Sequence, residues 1–367
     1  MEPIYVGVDI GGTHVEVGLI DQEGKLIDKN ETSIDAKDIT PQEVVKIIKE
    51  SVFKMKKKLS TSKNWTLASC GVGCPGQSKG DILVAASNFP KFKDVPLVKY
   101  VSEALGGISV TLLNDADAAV SAEVWGNPEV YERYQNVAMF TLGTGIGCGL
   151  ILNGDLFQGS HGNVEAGHMI VNTSSCKPCG CGQKGCVEMY ASAKNMVAAL
   201  EKLDKDDGNK SAGPLNGKII FDRYSGNDYN AVKVVEEAAE HLAILCLNVC
   251  RVVDPEVIVF GGGLSKAGNV LLDLVKKYLK EKTWTVLETP VILKLSASDK
   301  GGMYGAALAG KRRYTLTANK KPTPEPSAPL LVATPAQDNS LTNFILGFVT
   351  GSLLTGGFVW YFSRGKK

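Results

Sequence analysis

Apolar and polar positions alternate with two different periods along the chain up to about Gly310. Short apolar runs bounded by turn residues predict strands at 4–10, 14–20, 67–73, 109–115, 137–143, 257–263 and 290–296. Helical periodicity predicts helices at 41–59, 116–125, 188–203, 230–253, 266–282 and 303–311. Because strands and helices alternate, the pattern indicates an α/β fold.

The pattern changes after Arg313. Residues 314–340 are rich in Pro, Thr and Ala and have no helical period, which predicts a linker. Residues 341–362 are apolar, lie in a stretch without charged residues, and end in aromatic residues before a basic terminus. About 20 apolar residues suffice to cross a bilayer core. We therefore expect a transmembrane tail anchor, and the alternative is a buried C-terminal helix of the main body.

The beginning of the chain bears on its location. It lacks the basic region and the cleavage site of a signal peptide and enters a strand almost at once. We therefore expect the main body to face the cytosol from an intracellular membrane. The moderate hydrophobicity of the tail and its short basic end favour a mitochondrial or mitochondrion-related outer membrane, with the endoplasmic reticulum second.

Length and charge narrow the classes of protein. A chain of 367 residues suggests two domains, predicted at 1–115 and 116–313, with the helix at about 303–313 as a candidate to pack back on the first. The 40 Lys and Arg residues nearly balance 39 Asp and Glu residues, so no global positive field attracts nucleic acid. We expect no nucleic-acid partner.

Glycine-rich turns indicate phosphate binding. The motif DIGGT lies between two predicted strands, LGTGIG repeats the arrangement, and FGGG follows a third strand. Backbone N–H groups in such turns approach phosphate oxygens, and the aspartate of the first turn can orient a Mg²⁺ shell. The predicted ATP and Mg²⁺ residues are Asp9, Gly11, Gly12, Thr13, Gly143, Thr144, Gly145, Gly261, Gly262 and Gly263. This layout is typical of the two-domain fold class of actin, heat-shock ATPases and hexokinases.

A polar pair ends the strand predicted at 109–115. Asn114 and Asp115 follow its apolar residues, and ligands of α/β folds gather at such strand ends. A carboxylate there can accept the proton of a hydroxyl that attacks a phosphate. Asp115 is therefore the candidate base, and the alternative is that it only caps the next helix. For Asp117 we expect that capping role.

Four of the nine cysteines lie within residues 176–186. In the reducing compartment expected for this chain, clustered cysteines indicate metal binding before disulfides. A disulfide pair or a thiol redox centre is the alternative.

The chain resembles the ROK family (repressor, ORF, kinase) of ATP-dependent sugar kinases, and most of all its glucokinases. The resemblance covers about residues 5–310. Its motifs are DIGGT, GCPG, SNFP, LNDADAA, LGTGIG, EAGHM, CGCGQKGCVE, FGGGLS and DKGGMYGAA. It implies a structural Zn²⁺ held by His168, Cys179, Cys181 and Cys186, with Cys176 as a surplus thiol that can compete.

The resemblance also implies a sugar site. Glu165, His168 and Glu188 are expected at the anomeric end of the sugar, and Asn114 and Asp115 at the phosphorylated end. Gly76 and Asn88 are expected to complete the pocket.

The activity implied is phosphorylation of glucose by ATP to glucose 6-phosphate. An N-acetylmannosamine kinase or another hexose kinase is the alternative, and a sugar sensor without catalysis is a further one. The family's repressors carry a DNA-binding domain before the kinase fold, and this chain begins with the first phosphate strand. Relatives are commonly dimers or tetramers, so we expect a homodimer or homotetramer. One departure is His14, where many relatives carry Lys, and it leaves the phosphoryl donor open.

Overall fold

The computed structural model describes residues 2–59, 64–86, 88–160, 162, 164–174, 176–208, 213–284, 291–297 and 301–319. The chain divides into two units, 1–319 and 320–367. The predicted transmembrane tail and most of the predicted linker belong to the second unit, which lies outside the described residues. Within the described residues, no helix is both long enough and apolar enough to span a bilayer.

Strands of the described residues form two five-stranded sheets and one three-stranded sheet. They are β1 (Glu2–Ile10), β2 (His14–Ile20), β3 (Leu26–Ser33), β4 (Trp65–Gly73), β5 (Gln77–Lys79), β6 (Ile82–Ala85), β7 (Lys93–Val95), β8 (Ser109–Leu113), β9 (Val137–Leu142), β10 (Ile146–Leu152), β11 (Asp155–Leu156), β12 (Val257–Gly261) and β13 (Ile292–Leu295).

Helices of the described residues cover the two larger sheets. They are α1 (Pro41–Leu59), α2 (Leu97–Ala104), α3 (Asp115–Gly126), α4 (Pro128–Tyr131), α5 (Glu188–Ala191), α6 (Ala193–Asp206), α7 (Gly217–Ser225), α8 (Tyr229–Val253), α9 (Asn269–Lys282) and α10 (Gly302–Asn319). Short 3-10 turns lie at Ala166–His168 and Gly263–Ala267.

The two larger sheets repeat one topology. The first has the strand order β3-β2-β1-β4-β8, and the second has the order β11-β10-β9-β12-β13. In each, three antiparallel strands are followed by two strands parallel to the first strand of the hairpin. The predicted phosphate hairpins, β1–β2 and β9–β10, therefore occupy equivalent positions in the two sheets.

Each of the two larger sheets has its own apolar core. Val6 and Val8 of β1 pack with Ile48 and Val52 of α1, and all four side chains are fully buried. Around the second sheet, residues of β9 and β12 pack with the fully buried face of α8. The helical spacing of apolar residues in α1 and α8 thus produces the faces that cover the sheets.

Helix α10 packs directly on the first sheet and on α3. A Cβ atom at Gly71 of β4 would overlap the carbonyl oxygen of Ala306, and one at Gly305 would overlap that of Ala118. Small residues at these positions permit the close approach of the backbones. The N-terminus of α10 consequently lies beside Asp9, since a Cβ at Gly302 would be 2.8 Å from Asp9 Oδ2.

The structure corrects the predicted start of the linker at 314, because α10 continues to Asn319. Tyr314 packs edge-on against Tyr5 of β1, with ring centroids 6.1 Å apart. The hydroxyl of Thr315 donates back to the carbonyl of Lys311 at 3.0 Å, which satisfies its polar group within the helix. Residues 314–319 are therefore helical although their sequence has no apolar period.

Two further helix predictions differ in detail. The helix predicted at 188–203 is divided into α5 and α6 at Ser192, whose extended backbone lets its hydroxyl cap α6 by accepting from Asn195 N. The helix predicted from residue 266 begins as a 3-10 turn, and α9 starts only after Gly268, which has a φ of 66°.

Candidate active site

The first glycine turn joins β1 to β2. Its ends are closed by a hydrogen bond from Gly11 N to the carbonyl of His14 at 2.9 Å. Gly12 and Thr13 are exposed, and nothing described lies within 4 Å of where a Gly12 Cβ would be. The Thr13 hydroxyl lies 3.0 Å from His14 Nδ1. His14, which stands where many relatives carry Lys, therefore contacts the residue that is expected to donate to phosphate. The turn leaves room for a ligand against its backbone.

The second and third glycine turns lie together. Gly143 N donates to the carbonyl of Gly145 at 2.9 Å, which closes the β9–β10 turn and leaves Thr144 exposed at its tip. Gly262 has a φ of 84°, and a Cβ there would lie 2.6 Å from the carbonyl oxygen of Leu142. Glycine at 262 thus lets the Gly261–Gly263 turn approach the residue that precedes Gly143.

Asp9, at the end of β1, carries a perturbed carboxyl group. Burial raises its pKa to about 6, and the charges of Asp115 and Glu16 add to this rise. Asp9 and Asp115 therefore act on each other electrostatically, although they belong to different elements. A divalent cation would offset this repulsion. The carboxylates of Asp9 and Asp115 therefore fit the Mg²⁺ that accompanies ATP.

The β8–α3 turn presents Asn114 and Asp115. Asn114 caps α3, and its Oδ1 accepts from Asp117 N at 2.6 Å, which leaves its Nδ2 group as a donor for a ligand. Asp115 is exposed, and one carboxylate oxygen accepts from Ala116 N at 3.1 Å. Its other oxygen has no hydrogen-bond partner among the described residues. The turn thus offers one donor and one free carboxylate oxygen side by side.

Glu165 and His168 flank the 3-10 turn after β11, and Glu188 begins α5. Burial raises the pKa of Glu165, the charge of His168 opposes this rise, and Asp115 and Glu188 add to it. The groups predicted at opposite ends of a sugar therefore share one electrostatic environment. Glu188 is partly engaged, because its Oε2 accepts from Ile146 N at 2.9 Å.

Gly76 and Asn88 lie at the small sheet of β5–β7. Gly76 has a φ of 125°, and a Cβ there would overlap the carbonyl oxygen of Ala85. Together with Asn114 it lines a cavity of about 10 Å³. Asn88 is exposed in the connection between β6 and β7.

The predicted zinc ligands converge. Ligand atoms of His168, Cys179, Cys181 and Cys186 all lie within 4.8 Å of one another. The Sγ atoms of Cys181 and Cys186 are 3.7 Å apart, and His168 Nδ1 is 3.6 Å from Cys179 Sγ. Tetrahedral Zn²⁺ with bonds of about 2.3 Å to sulfur and about 2.0 Å to nitrogen sets edges of about 3.5 to 3.8 Å.

These distances separate a metal site from a disulfide. A disulfide needs sulfurs about 2.05 Å apart, and all four thiols of residues 176–186 are free. Cys176 is exposed and is not part of the ligand set. Because Nδ1 is the His168 nitrogen that lies 3.6 Å from Cys179 Sγ, its Nε2 atom is left for another partner. The donor set fits Zn²⁺.

Two polar residues outside the predicted site, Gln158 and Glu123, connect elements around it. Gln158 Nε2 donates to the carbonyl of Leu112 at 3.1 Å and to Asp117 Oδ2 at 2.9 Å. Glu123 is fully buried and accepts from Ser296 Oγ at 2.6 Å and from Ala297 N at 2.9 Å, which ties α3 to the end of β13. No motif in the sequence indicates Gln158, because its partners lie 41 and 46 positions away.

Comparisons with known proteins identify the family of the chain. The sequence profile described as the ROK family matches residues 5–313. A glucokinase from Halalkalibacterium halodurans is 32% identical over 290 residues, which are 75% of this chain and 85% of the relative. An N-acetyl-D-glucosamine kinase from Histophilus somni is 31% identical over 316 residues, which are 83% of this chain and 98% of the relative.

Among solved structures, a ROK family glucokinase from Streptomyces griseus in complex with glucose and AMPPNP superposes with a TM-score of 0.63 at 26% identity. The superposition covers 84% of this chain and 99% of that one.

Proposed function

This chain belongs to the ROK family and is an ATP-dependent hexose kinase, and we propose that its acceptor is glucose, which it converts to glucose 6-phosphate. The observation that carries the proposal is the β8–α3 turn, where Asp115 keeps one carboxylate oxygen beside the Nδ2 group of Asn114 and its charge raises the pKa of Glu165. The similarity to glucokinases over most of the chain favours glucose as the hexose.

In the proposed reaction, Asp115 accepts the proton of the sugar 6-hydroxyl. The hydroxyl oxygen forms a bond to the γ-phosphorus as the bond between that phosphorus and the leaving oxygen of ADP breaks. The free oxygen of Asp115 suits this role, and the Nδ2 group of Asn114 suits a donor to the same end of the sugar. The glycine turns at Gly11–Thr13 and Gly143–Gly145 hold the phosphates.

Mg²⁺, when bound with ATP, neutralises charge on the transferring phosphate. Asp9 is the residue we assign to orient its coordination shell, because the charge of Asp115 raises the pKa of its half-buried carboxyl and a cation would relieve this repulsion.

Zn²⁺ is proposed as a structural metal held by His168, Cys179, Cys181 and Cys186. These residues would hold the metal, which would restrain the loop that carries the cysteines and fix the orientation of the His168 imidazole.

The second candidate acceptor is an N-acetylated hexosamine. The relatives named N-acetyl-D-glucosamine kinase are as similar to this chain as the glucokinases are, with 31% identity for the Histophilus somni protein. N-acetylmannosamine, another N-acetylated hexosamine, is the alternative acceptor that the resemblance in sequence leaves open.

A panel of sugars separates these candidates. Full-length protein is assayed for ADP release with ATP and Mg²⁺ against glucose, mannose, N-acetylglucosamine and N-acetylmannosamine. We expect kcat/KM for glucose to exceed that for each other sugar by at least about 10-fold, the discrimination available from one matched or unmatched group. A higher kcat/KM for either N-acetylated sugar would replace glucose as the acceptor.

We also propose, from sequence alone, that residues 341–362 anchor the kinase to an intracellular membrane. These residues lie outside the described part of the chain. A fluorescent reporter fused to residues 320–367 is expected to concentrate on a membrane, and the same fusion with Leu353→Arg and Leu354→Arg is expected to be diffuse. An unmodified fusion that stays diffuse would remove the anchor.

A further inference from the structure

One side-chain amide bridges both flanks of the turn that presents Asn114 and Asp115. Gln158 Nε2 donates to the carbonyl of Leu112, in the last part of β8, and to Oδ2 of Asp117, in the first turn of α3. The two predicted acceptor-site residues lie between these two anchoring points. A displacement of Gln158 would therefore release the turn on both sides.

The bond to Asp117 compensates for an unfavourable burial. Asp117 is only 4% exposed, and a buried carboxylate is costly unless hydrogen bonds satisfy it. Burial raises its pKa to about 6, the bond from Gln158 opposes the rise, and the charges of Asp115 and Glu165 add to it. The Asn114 side chain accepts from the N–H of Asp117, and a hydrogen bond from the Asn114 backbone joins that of Gln158 in lowering the pKa of the Asp117 carboxyl.

The side chains of the pair are already occupied by each other. Asp117 and Gln158 line a cavity with Gly76, Ser78 and Asn114. The Asp117 carboxylate is buried and accepts from the Gln158 amide, so the pair supports predicted sugar contacts of the same cavity. An effect of the pair on phosphoryl transfer therefore passes through the residues that it holds.

The segment that carries Gln158 continues to the other end of the site. It follows β11 and leads to Glu165 and the 3-10 turn of His168. On the way, Gly162 has a φ of 66° and contacts the carbonyl oxygen of Ser78 so closely that a Cβ would overlap it. Gln158 and Gly162 thus each contact another part of the chain before Glu165.

We infer that Gln158 and Asp117 are positioning residues for phosphoryl transfer, which hold the Asn114–Asp115 turn against the segment that carries Glu165. The inference rests on the proposed role of Asn114 and Asp115 in holding the acceptor hydroxyl. The pair sets the distance between the two ends of the sugar site without contacting the sugar.

Gln158→Met tests the pair, because methionine keeps the length of the side chain and removes its N–H donors. We expect kcat to fall about 10-fold and KM for the sugar to rise about 5-fold, since small misplacements of reacting groups cost this much or more. KM for ATP is expected to stay within about 2-fold. Gln42→Met, at an exposed position of α1, is the matched control and should leave all three constants unchanged.

A double-mutant cycle separates positioning from general destabilisation. The losses in kcat caused by Asp117→Ala and by Gln158→Met should not multiply. The kcat of the double variant should therefore lie within about 2-fold of that of the poorer single variant. Asp117→Asn keeps an oxygen acceptor and should retain activity within about 3-fold. Wild-type kcat and sugar KM in Gln158→Met, or losses that multiply, would overturn the inference.

The sugar KM of Gln158→Met can be measured with whichever hexose proves to be the acceptor. If Gln158 and Asp117 prove not to be positioning residues, the proposed acceptor is therefore unaffected. Near-normal turnover by Asp115→Asn would instead remove the proposed base, whatever the cycle shows.

Discussion

Glu188 Oε2 accepts a hydrogen bond from Ile146 N at 2.9 Å, which joins the loop of the candidate zinc ligands to the second phosphate hairpin. Cys186, one of the candidate ligands, lies two positions before Glu188. Gly145 leaves space for this carboxylate, since a Cβ there would lie 2.5 Å from the same oxygen. The sugar side and the nucleotide side of the site are therefore connected through one side chain.

Replacement of Glu188 should affect both substrates. Glu188→Ala removes the acceptor of Ile146 N, and we expect KM for both glucose and ATP to rise about 3-fold or more, the cost of one charge-assisted hydrogen bond reduced by solvent access. Glu201→Ala, an exposed carboxylate of α6, is the control for loss of charge. A rise in only one of the two KM values would place Glu188 on one side of the site alone.

Metal content distinguishes two cysteines of the same loop. Cys181→Ala removes a member of the ligand set, so we expect less than one Zn²⁺ per chain, a lower Tm and weaker binding of glucose. Cys176→Ala should retain the metal and the Tm of the wild type, because its exposed thiol lies outside the set. Equal metal content in wild type and Cys181→Ala, measured on fresh reduced protein, contradicts the assignment.

The raised pKa of Asp9 predicts a pH-dependent cost to stability. Its carboxyl titrates at about 6 in the folded protein and near 3.9 when unfolded, so the folded state binds the proton more tightly. The proton bound to Asp9 therefore stabilises the folded state. This stabilisation is fully present below pH 3.9 and is lost as the pH rises through 6. The loss amounts to at most about 3 kcal/mol.

Asp9→Asn removes this cost, since asparagine does not ionise. In protein free of nucleotide and Mg²⁺, the Tm of the variant minus that of the wild type should therefore be larger at pH 8 than at pH 4.5. Asp81→Asn, at an exposed position, serves as the control. A difference in Tm that is the same at both pH values would argue against the buried, repelled state of Asp9.

Local pattern predicted much of the fold because many elements carry their own signal. Helix α1 spans the predicted 41–59, and β2 spans the predicted 14–20, since each has an unbroken apolar period. Strand β3 was missed because its sequence, LIDKNETS, is mostly polar and lies at the edge of the sheet. Its membership depends on pairing with β2, which a local period does not encode.

The candidate site divides in the same way. The glycine turns and the cysteine loop are short motifs, so their residues could be named from sequence, and three cysteines of the loop lie together with His168. The contact of Gln158 with Asp117 could not be predicted, because it joins residues 41 positions apart through a single amide. The burial of Asp117, for which only helix capping was expected, likewise depends on tertiary packing.

The proposed function makes Asp115 the base of a hexose kinase that acts on glucose. The most direct test measures glucose 6-phosphate formation from glucose and MgATP by wild type and by Asp115→Asn, together with glucose binding by calorimetry. We expect the wild type to form the product and the variant to lose about 100-fold or more in kcat, with glucose affinity within a few-fold, because the amide cannot accept the proton. Turnover by Asp115→Asn close to that of the wild type would contradict the account.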